Sequence, residues 1–194
     1  MLSDAKFPVI LSGAGVVIGD AINECKALAE KLDAPVCNGY QHNDSFPGSH
    51  PLAVGPLGYN GSKAAMQLIS KADVVLALGT RLNPFSTLPG YGIDYWPKNA
   101  NIIQVDMNPD RIGLTKKVTV GIAGDAKQVA KQIFDKLSSN AGDSGREDRK
   151  NLIHQTKSAW LQTLTSLDHE DDDPGTVWNK EARERDKDRM SPRQ

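Results

Sequence analysis

Hydrophobic residues along this chain follow two rhythms. One is the short unbroken run, clearest in Val74-Val-Leu-Ala-Leu78. Five apolar residues without alternation read as a strand covered on both faces, as in a parallel sheet flanked by helices. Residues 8–12, 35–38, 101–106 and 118–122 give further strands of this kind. The other rhythm has a period of 3.6. Ile22, Cys25, Leu28, Ala29 and Leu32 form one stripe, with Asp20 and Glu24 near its positive end. Ala65, Leu68, Ile69 and Ala72 form a second within 62–71. Val129, Ala130, Ile133, Phe134 and Leu137 form a third, opened by the capping-box-like Asp125-x-x-Gln128. Strands alternating with helices predict an α/β fold: a three-layer Rossmann-like domain with a five- or six-stranded parallel sheet and right-handed crossovers.

The intervals between these elements are unequal. Residues 39–61 are dense in Gly, Pro, His and Asn and read as one long loop covering a site. Residues 107–111 read as a turn or short helix. The domain is expected to span 1–137 and to end in a linker at 138–146, rich in Ser, Gly and Asn. A further amphipathic helix is expected over 147–167, with Ile153, Thr156, Trp160, Leu164 and Leu167 along one side. Residues 168–194 carry nine acids and six bases and few large apolar residues, so they read as a charged connector, disordered alone or lying on something outside the chain.

Composition narrows the function classes. Net charge is −1, so no field argues for nucleic acid or an anionic membrane surface. No apolar run approaches the roughly 20 residues of a membrane span, and the amino end lacks a signal-peptide core. Cys25 and Cys37 read as small buried hydrophobes in a cytoplasmic, disulfide-free protein.

Candidate chemistry lies at strand ends. Gly13-x-Gly15-x-x-x-Gly19 resembles a dinucleotide fingerprint with its third glycine one residue late, and the second strand ends in Asn38 where an acid would hold a ribose. A plain NAD dehydrogenase is disfavoured, and tight turns with close helix approach also account for these glycines. Gly79-Thr80-Arg81 and Asp106 end different strands and are expected to converge on a crevice. There a cation and a carboxylate suit a nucleotide's phosphates and ribose, or else pair with each other or with a neighbouring domain. His42, Asp44 and His50 lack metal-ligand spacing and read as surface polar groups. Gly124-Asp125 followed by Asn151 imitates a magnesium-diphosphate motif, but Ala126 replaces its third residue, and Asp125 is explained as a helix cap.

With these residues in view, the chain resembles the central domain of thiamine-diphosphate enzymes, a group that includes acetohydroxyacid synthase, pyruvate oxidase and oxalyl-CoA decarboxylase. The resemblance is carried by the glycine turn after the first strand, the loop and helix from Gly58 to Ala65, Ala72-Asp-Val-Val-Leu-Ala-Leu-Gly-Thr-Arg81, and Ile102-Ile-Gln-Val-Asp-Met-Asn-Pro-Asp110. It covers about residues 7–137. The stretches 83–96 and 160–179 resemble an acetyl-transferring branch of the family. The resemblance implies a parent with pyrimidine-binding and diphosphate-binding domains on either side, assembled as a homo-oligomer, from which this chain is an excised middle piece. Thiamine diphosphate and magnesium would supply carbanion stabilisation in that parent, with sulfite leaving a sulfonated aldehyde and phosphate taking the acetyl group. Neither cofactor is expected in this chain. In relatives the central domain binds FAD or ADP, or nothing, across the crevice assigned to Gly13, Gly15, Gly79, Thr80, Arg81 and Asp106.

Overall fold

The computed structural model describes residues 1–167, and the charged segment expected over 168–194 lies outside the described residues. Its first compact unit is Met1–Lys157, and a second begins at Ser158. The fold of the first is α/β, as expected. Six parallel strands, β1 (Pro8–Ser12), β2 (Val36–Asn38), β3 (Ala53–Pro56), β4 (Val74–Leu78), β5 (Asn101–Asp106) and β6 (Val120–Ala123), lie in the order β3-β2-β1-β4-β5-β6. Helices α1 (Ala14–Ile18), α2 (Ile22–Leu32), α3 (Lys63–Ile69), α4 (Ala126–Lys136) and α5 (Arg146–Leu167) complete the described residues.

Strands β1 and β4 pair along their whole length at the sheet's centre, from Pro8 opposite Val74 to Ser12 opposite Leu78. Every residue in both is buried, so both faces are covered, and the unbroken apolar run of β4 follows from that. Helices α2 and α4 pack side by side, while α3 packs on β2 and β3. Helix starts are set by local chemistry. The Ser62 hydroxyl accepts from the Ala65 N–H at 3.2 Å, and the Asp125 carboxylate accepts from the Gln128 N–H at 3.0 Å.

Four expectations need correction. The loop over 39–61 contains the edge strand β3, which has only Ala53 and Val54 before Gly55 and Pro56; proline is tolerated there because an edge strand has no second partner. The last strand begins at Val120 rather than 118. The glycine segment 13–19 holds the single-turn helix α1. Phe134, expected in the core, is 41% exposed: α4 buries Ala126, Val129 and Ala130 and packs Ile133 and Leu137 against the core, leaving Phe134 outside that face.

The segment 138–146 has linker composition, yet it is tied down. Arg149 of α5 is 1% exposed, and its five N–H groups all reach backbone carbonyls. Nε donates to Asp33, one terminal nitrogen to Lys6 and Ser144, and the other to Leu32 and Gly142, at 2.5 to 2.9 Å. One guanidinium thereby joins the entry to β1, the end of α2 and the 142–144 turn. Arg146 adds ion pairs to Asp33 at 2.8 Å and Asp143 at 2.9 Å.

A second close contact lies at the carboxyl ends of β1 and β4. The Gly13 N–H donates to the Leu78 carbonyl at 3.0 Å, and the Gly15 N–H to the Gly79 carbonyl at 2.8 Å. A Cβ on Gly15 would stand 2.7 Å from the Gly79 Cα, and one on Gly13 would stand 2.5 Å from the Thr80 Cβ. Gly79 also has φ +60.

Three outcomes follow from this packing. Gly15→Ala should lower unfolding free energy in urea by about 2–4 kcal/mol, and Gly79→Ala by about 1 kcal/mol more because of its left-handed backbone. Gly92→Ala (φ +69, with open space around it) should show about 1 kcal/mol of backbone cost alone, whereas Gly48→Ala, with nothing near it and no left-handed backbone, should stay within about 0.5 kcal/mol. Arg149→Met should cost about 3–5 kcal/mol by the same measurement, since it strips five carbonyls of their donor. The third outcome concerns pH. Burial pushes the Cys25 thiol up to about 12 from 9.0 and pushes Cys37 up too, and it raises the Tyr95 hydroxyl from 10.0 to about 12. Below pH 9 these groups are protonated in both states and their contribution is complete. As pH rises from about 9 towards 12 the unfolded state ionises first, so stability should fall through that window. Native thiols should also resist an aromatic disulfide reagent at pH 8 until denaturant is added.

Candidate functional site

Chain connections reverse direction between β1 and β4. From β1 the chain proceeds outward to β2 and β3, and from β4 to β5 and β6. Loops leaving the two central strands therefore part, and an open α/β sheet leaves a crevice at that point. Here it has a volume of about 460 Å³. Gly13, Gly15, Gly79, Thr80, Arg81 and Asp106 all line it, so the residues picked from separate strand ends do converge.

The glycine pair forms the floor. Because the Gly13 and Gly15 N–H groups are already bonded to the Leu78 and Gly79 carbonyls at and just past the end of β4, they serve strand-to-helix packing. The late third glycine, Gly19, has a matching cause: a Cβ there would meet the Asp125 carboxylate at 2.9 Å. Thr80 is buried, and its hydroxyl accepts from the Leu82 N–H at 3.1 Å. Asp106 is buried as well, one oxygen accepting from the Asn108 N–H at 2.9 Å. Arg81 is exposed on the rim.

On the β2 side the wall is Gly39–His42, held by a buried polar cluster. The Asn38 amide donates to the Ser45 hydroxyl at 3.0 Å and to the His42 carbonyl at 3.3 Å, and Ser12 and Ser45 exchange hydroxyl-to-carbonyl bonds at 3.1 and 3.2 Å. Asn38 thus braces a loop, which explains its place where a dinucleotide fold carries an acid. Ser86, also in the wall, accepts from the Tyr40 N–H at 2.8 Å.

On the β5 side, sequence reasoning missed Arg111. It lies in a single 3-10 turn, Pro109–Arg111, where no periodicity marks it, though the Asn-Pro dipeptide after a strand end is a turn signal. Outside the crevice lining, Lys127 bonds Asp20 at 2.8 Å, which holds that carboxyl below its usual range and raises the lysine in return. Both groups lie at the surface, where such pairs contribute little.

Other predicted groups lie apart. His50 pairs with Glu30 at 3.1 Å and stands edge-on to Phe46, whereas His42 lines the crevice and Asp44 sits in a short 3-10 turn. No group of three His, Cys, Asp or Glu residues comes together among the described residues as a metal set requires. Asp125 caps α4 and Asn151 is exposed on α5, so this pair does not fit a magnesium-bound diphosphate. Arg81 and Asp106 both line the crevice. Among the described residues no helix is long and apolar enough to cross a membrane.

Comparison with known proteins gives this geometry its context. Residues 1–133 match the family described as thiamine pyrophosphate enzyme, central domain. A "Probable sulfoacetaldehyde acetyltransferase" of Rhizobium meliloti (strain 1021) is 80% identical over 194 residues, which are 100% of this chain and 33% of that protein. The sulfoacetaldehyde acetyltransferase of Roseovarius nubinhibens is 72% identical over 193 residues, 100% of this chain and 32% of that protein. The chain spans about a third of these relatives' length. An X-ray structure from Mycobacterium smegmatis, assigned as a thiamin diphosphate-dependent enzyme, superposes with a TM-score of 0.58 at 27% identity, covering 71% of this chain and 26% of that one. A parallel sheet ordered 3-2-1-4-5-6, a crevice at its reversal point and a family match over most of the length agree: this chain belongs to the thiamine pyrophosphate enzyme central-domain family.

Proposed function

We propose that this chain is the non-catalytic central domain of a thiamine-diphosphate-dependent acetyltransferase, whose parent reaction turns sulfoacetaldehyde and phosphate into acetyl phosphate and sulfite. The observation that carries the reading is the full-length match to a third of the sulfoacetaldehyde acetyltransferases. In that parent, thiamine diphosphate and its magnesium supply the carbanion stabilisation. The residues here act as framework. The Gly15–Gly79 contact fixes the central strands, and Arg149 anchors the chain that leaves the domain. Pyrimidine-binding and diphosphate-binding domains of the parent chain, in a homo-oligomer, are the partners this reading implies. It is tested by supplying the purified chain with thiamine diphosphate, magnesium, sulfoacetaldehyde and phosphate. No acetyl phosphate should form, and any turnover would end the reading.

A second reading is a nucleotide-binding module of the FAD or ADP type. It is favoured by Gly13, Gly15, Gly79, Thr80, Arg81 and Asp106 meeting at one crevice. A flavin spectrum in the purified protein, or heat on titrating ADP, would support it. A colourless protein silent to ADP would dismiss it.

A further inference from the structure

We propose that the aromatic face formed by Tyr40, Tyr59, Phe85, Leu88 and Tyr91 is a self-association surface, on which a second copy of this chain docks to make an isologous dimer. Such a dimer is independent of what the crevice binds and of the parent reaction.

Large apolar side chains gather here outside the core. The chain has four tyrosines, and all of them fall between positions 40 and 95. Three of these, together with Phe85 and Leu88, stand 38 to 68% exposed. The packed core of the described residues takes in none of the five. Three segments bring them to one edge: Tyr40 follows β2, Tyr59 follows β3, and residues 85–91 belong to the connection leaving β4. The Tyr40 and Phe85 rings stack with centroids 5.9 Å apart and planes 28° apart. Gly58, next to Tyr59, lies so close to the Phe85 carbonyl that no side chain fits between them. The Tyr91 hydroxyl donates to the Gly61 carbonyl at 3.2 Å and ties the connection to the residues after Tyr59. A single exposed apolar residue such as Leu114 is ordinary on a surface, whereas four aromatic rings and a leucine on converging segments mark a place of contact.

Charge and area point to a copy of the same chain. None of the five residues is charged, and the one carboxylate in the β4–β5 connection, Asp94, is paired with Lys98 at 3.2 Å. These side chains can therefore face their own copies across a twofold axis without opposing like charges. Their exposed apolar surface is roughly 500 Å², on the usual area of large side chains. A twofold pairing would bury on the order of 1,000 Å² in total, the low end for specific interfaces, where association is reversible. The rings also stand on backbone that is already fixed. Buried Ser86 accepts from the Tyr40 N–H through its hydroxyl at 2.8 Å, and from the buried Tyr95 hydroxyl through its carbonyl at 3.2 Å. The Asn83 side chain accepts from the Phe85 N–H at 2.9 Å. Docking therefore has little left to order, which lowers its entropy cost.

Sedimentation velocity of the 194-residue chain over about 1–300 µM tests this. Monomer should give way to dimer as concentration rises, and about 0.5 M salt should leave the dimer intact, because its contacts are apolar. Tyr59→Ser and Phe85→Ser should each raise the dimer dissociation constant by about tenfold or more, and the double variant should stay monomeric over that range. Both side chains are exposed, so circular dichroism and Tm should not change. Should Phe85→Ser unfold, Tyr59→Ser carries the test alone, with Tyr59→Phe retaining the dimer. Leu114→Ser, exposed on another segment, should leave the dimer as it is. A chain that stays monomeric throughout would overturn the proposal. So would a dimer that salt disperses, one that both serine variants leave intact, or one that Leu114→Ser breaks.

Discussion

Close approach of two glycine segments at the carboxyl ends of β1 and β4 is the constraint from which the rest of the first unit follows. The backbone at Gly15 lies so near Gly79 that a methyl group on either would stand 2.7 to 2.8 Å from main-chain atoms of the other. That approach lets the Gly13 and Gly15 N–H groups bond the Leu78 and Gly79 carbonyls, so the central pair stays zipped past its last ladder residues. It also sets where the crevice can be. Loops leaving β1 and β4 part from this contact, and every polar group of the site is placed relative to it. The glycines that imitate a phosphate-binding fingerprint thus serve the packing of strand on helix.

A second constraint acts at the opposite end of the strands. Three carbonyl-bearing segments, the entry to β1, the end of α2 and the 142–144 turn, turn their acceptors towards one point, and a single guanidinium there meets all of them. Carbonyls left buried without donors would each cost about 1–3 kcal/mol. A planar group with five donors in a fixed fork answers that need as lysine, with one compact ammonium, could not. The charge is thus accommodated by backbone dipoles, with Asp33 nearby carrying ion pairs to Arg146 and Lys150.

What the sequence disclosed, and what it concealed, follows from the range of each interaction. Val74–Leu78 was legible because burial on both faces imposes one apolar run on neighbouring positions. Ser62 and Asp125 were legible as helix openings because a cap acts across three residues. The six crevice residues could be chosen because strand ends are local features and a parallel sheet brings them to one edge. Strand β3 left no comparable trace: its partner is the distant β2, and Gly55 and Pro56 erase any pattern in its second half. Phe134 satisfied the helical stripe, but the packed face runs through Val129, Ala130, Ile133 and Leu137 and leaves Phe134 at its edge, exposed. Arg149 was invisible for the same reason in stronger form. Its partners at Lys6 and Leu32 are backbone atoms more than a hundred residues away, and any residue type could supply them.

Scaffold and binding site are not competing descriptions of this fold, because they use different atoms of the same segments. Scaffold interactions are made by main-chain groups and short side chains: the glycine N–H groups, the Thr80 hydroxyl, the Asn38 amide and the inward oxygens of Asp106 and Asp125. Long side chains on those segments are left over, and at Arg81 and Arg111 they carry charge into the crevice. Neither guanidinium has an ion pair or a side-chain hydrogen bond among the described residues. The backbone below them is another matter. A buried glutamine, Gln104, makes three bonds to those loops, and a left-handed leucine, Leu82, has its carbonyl held by the Thr115 hydroxyl. The same segments therefore hold the sheet together through their main chain and present their long side chains to the crevice.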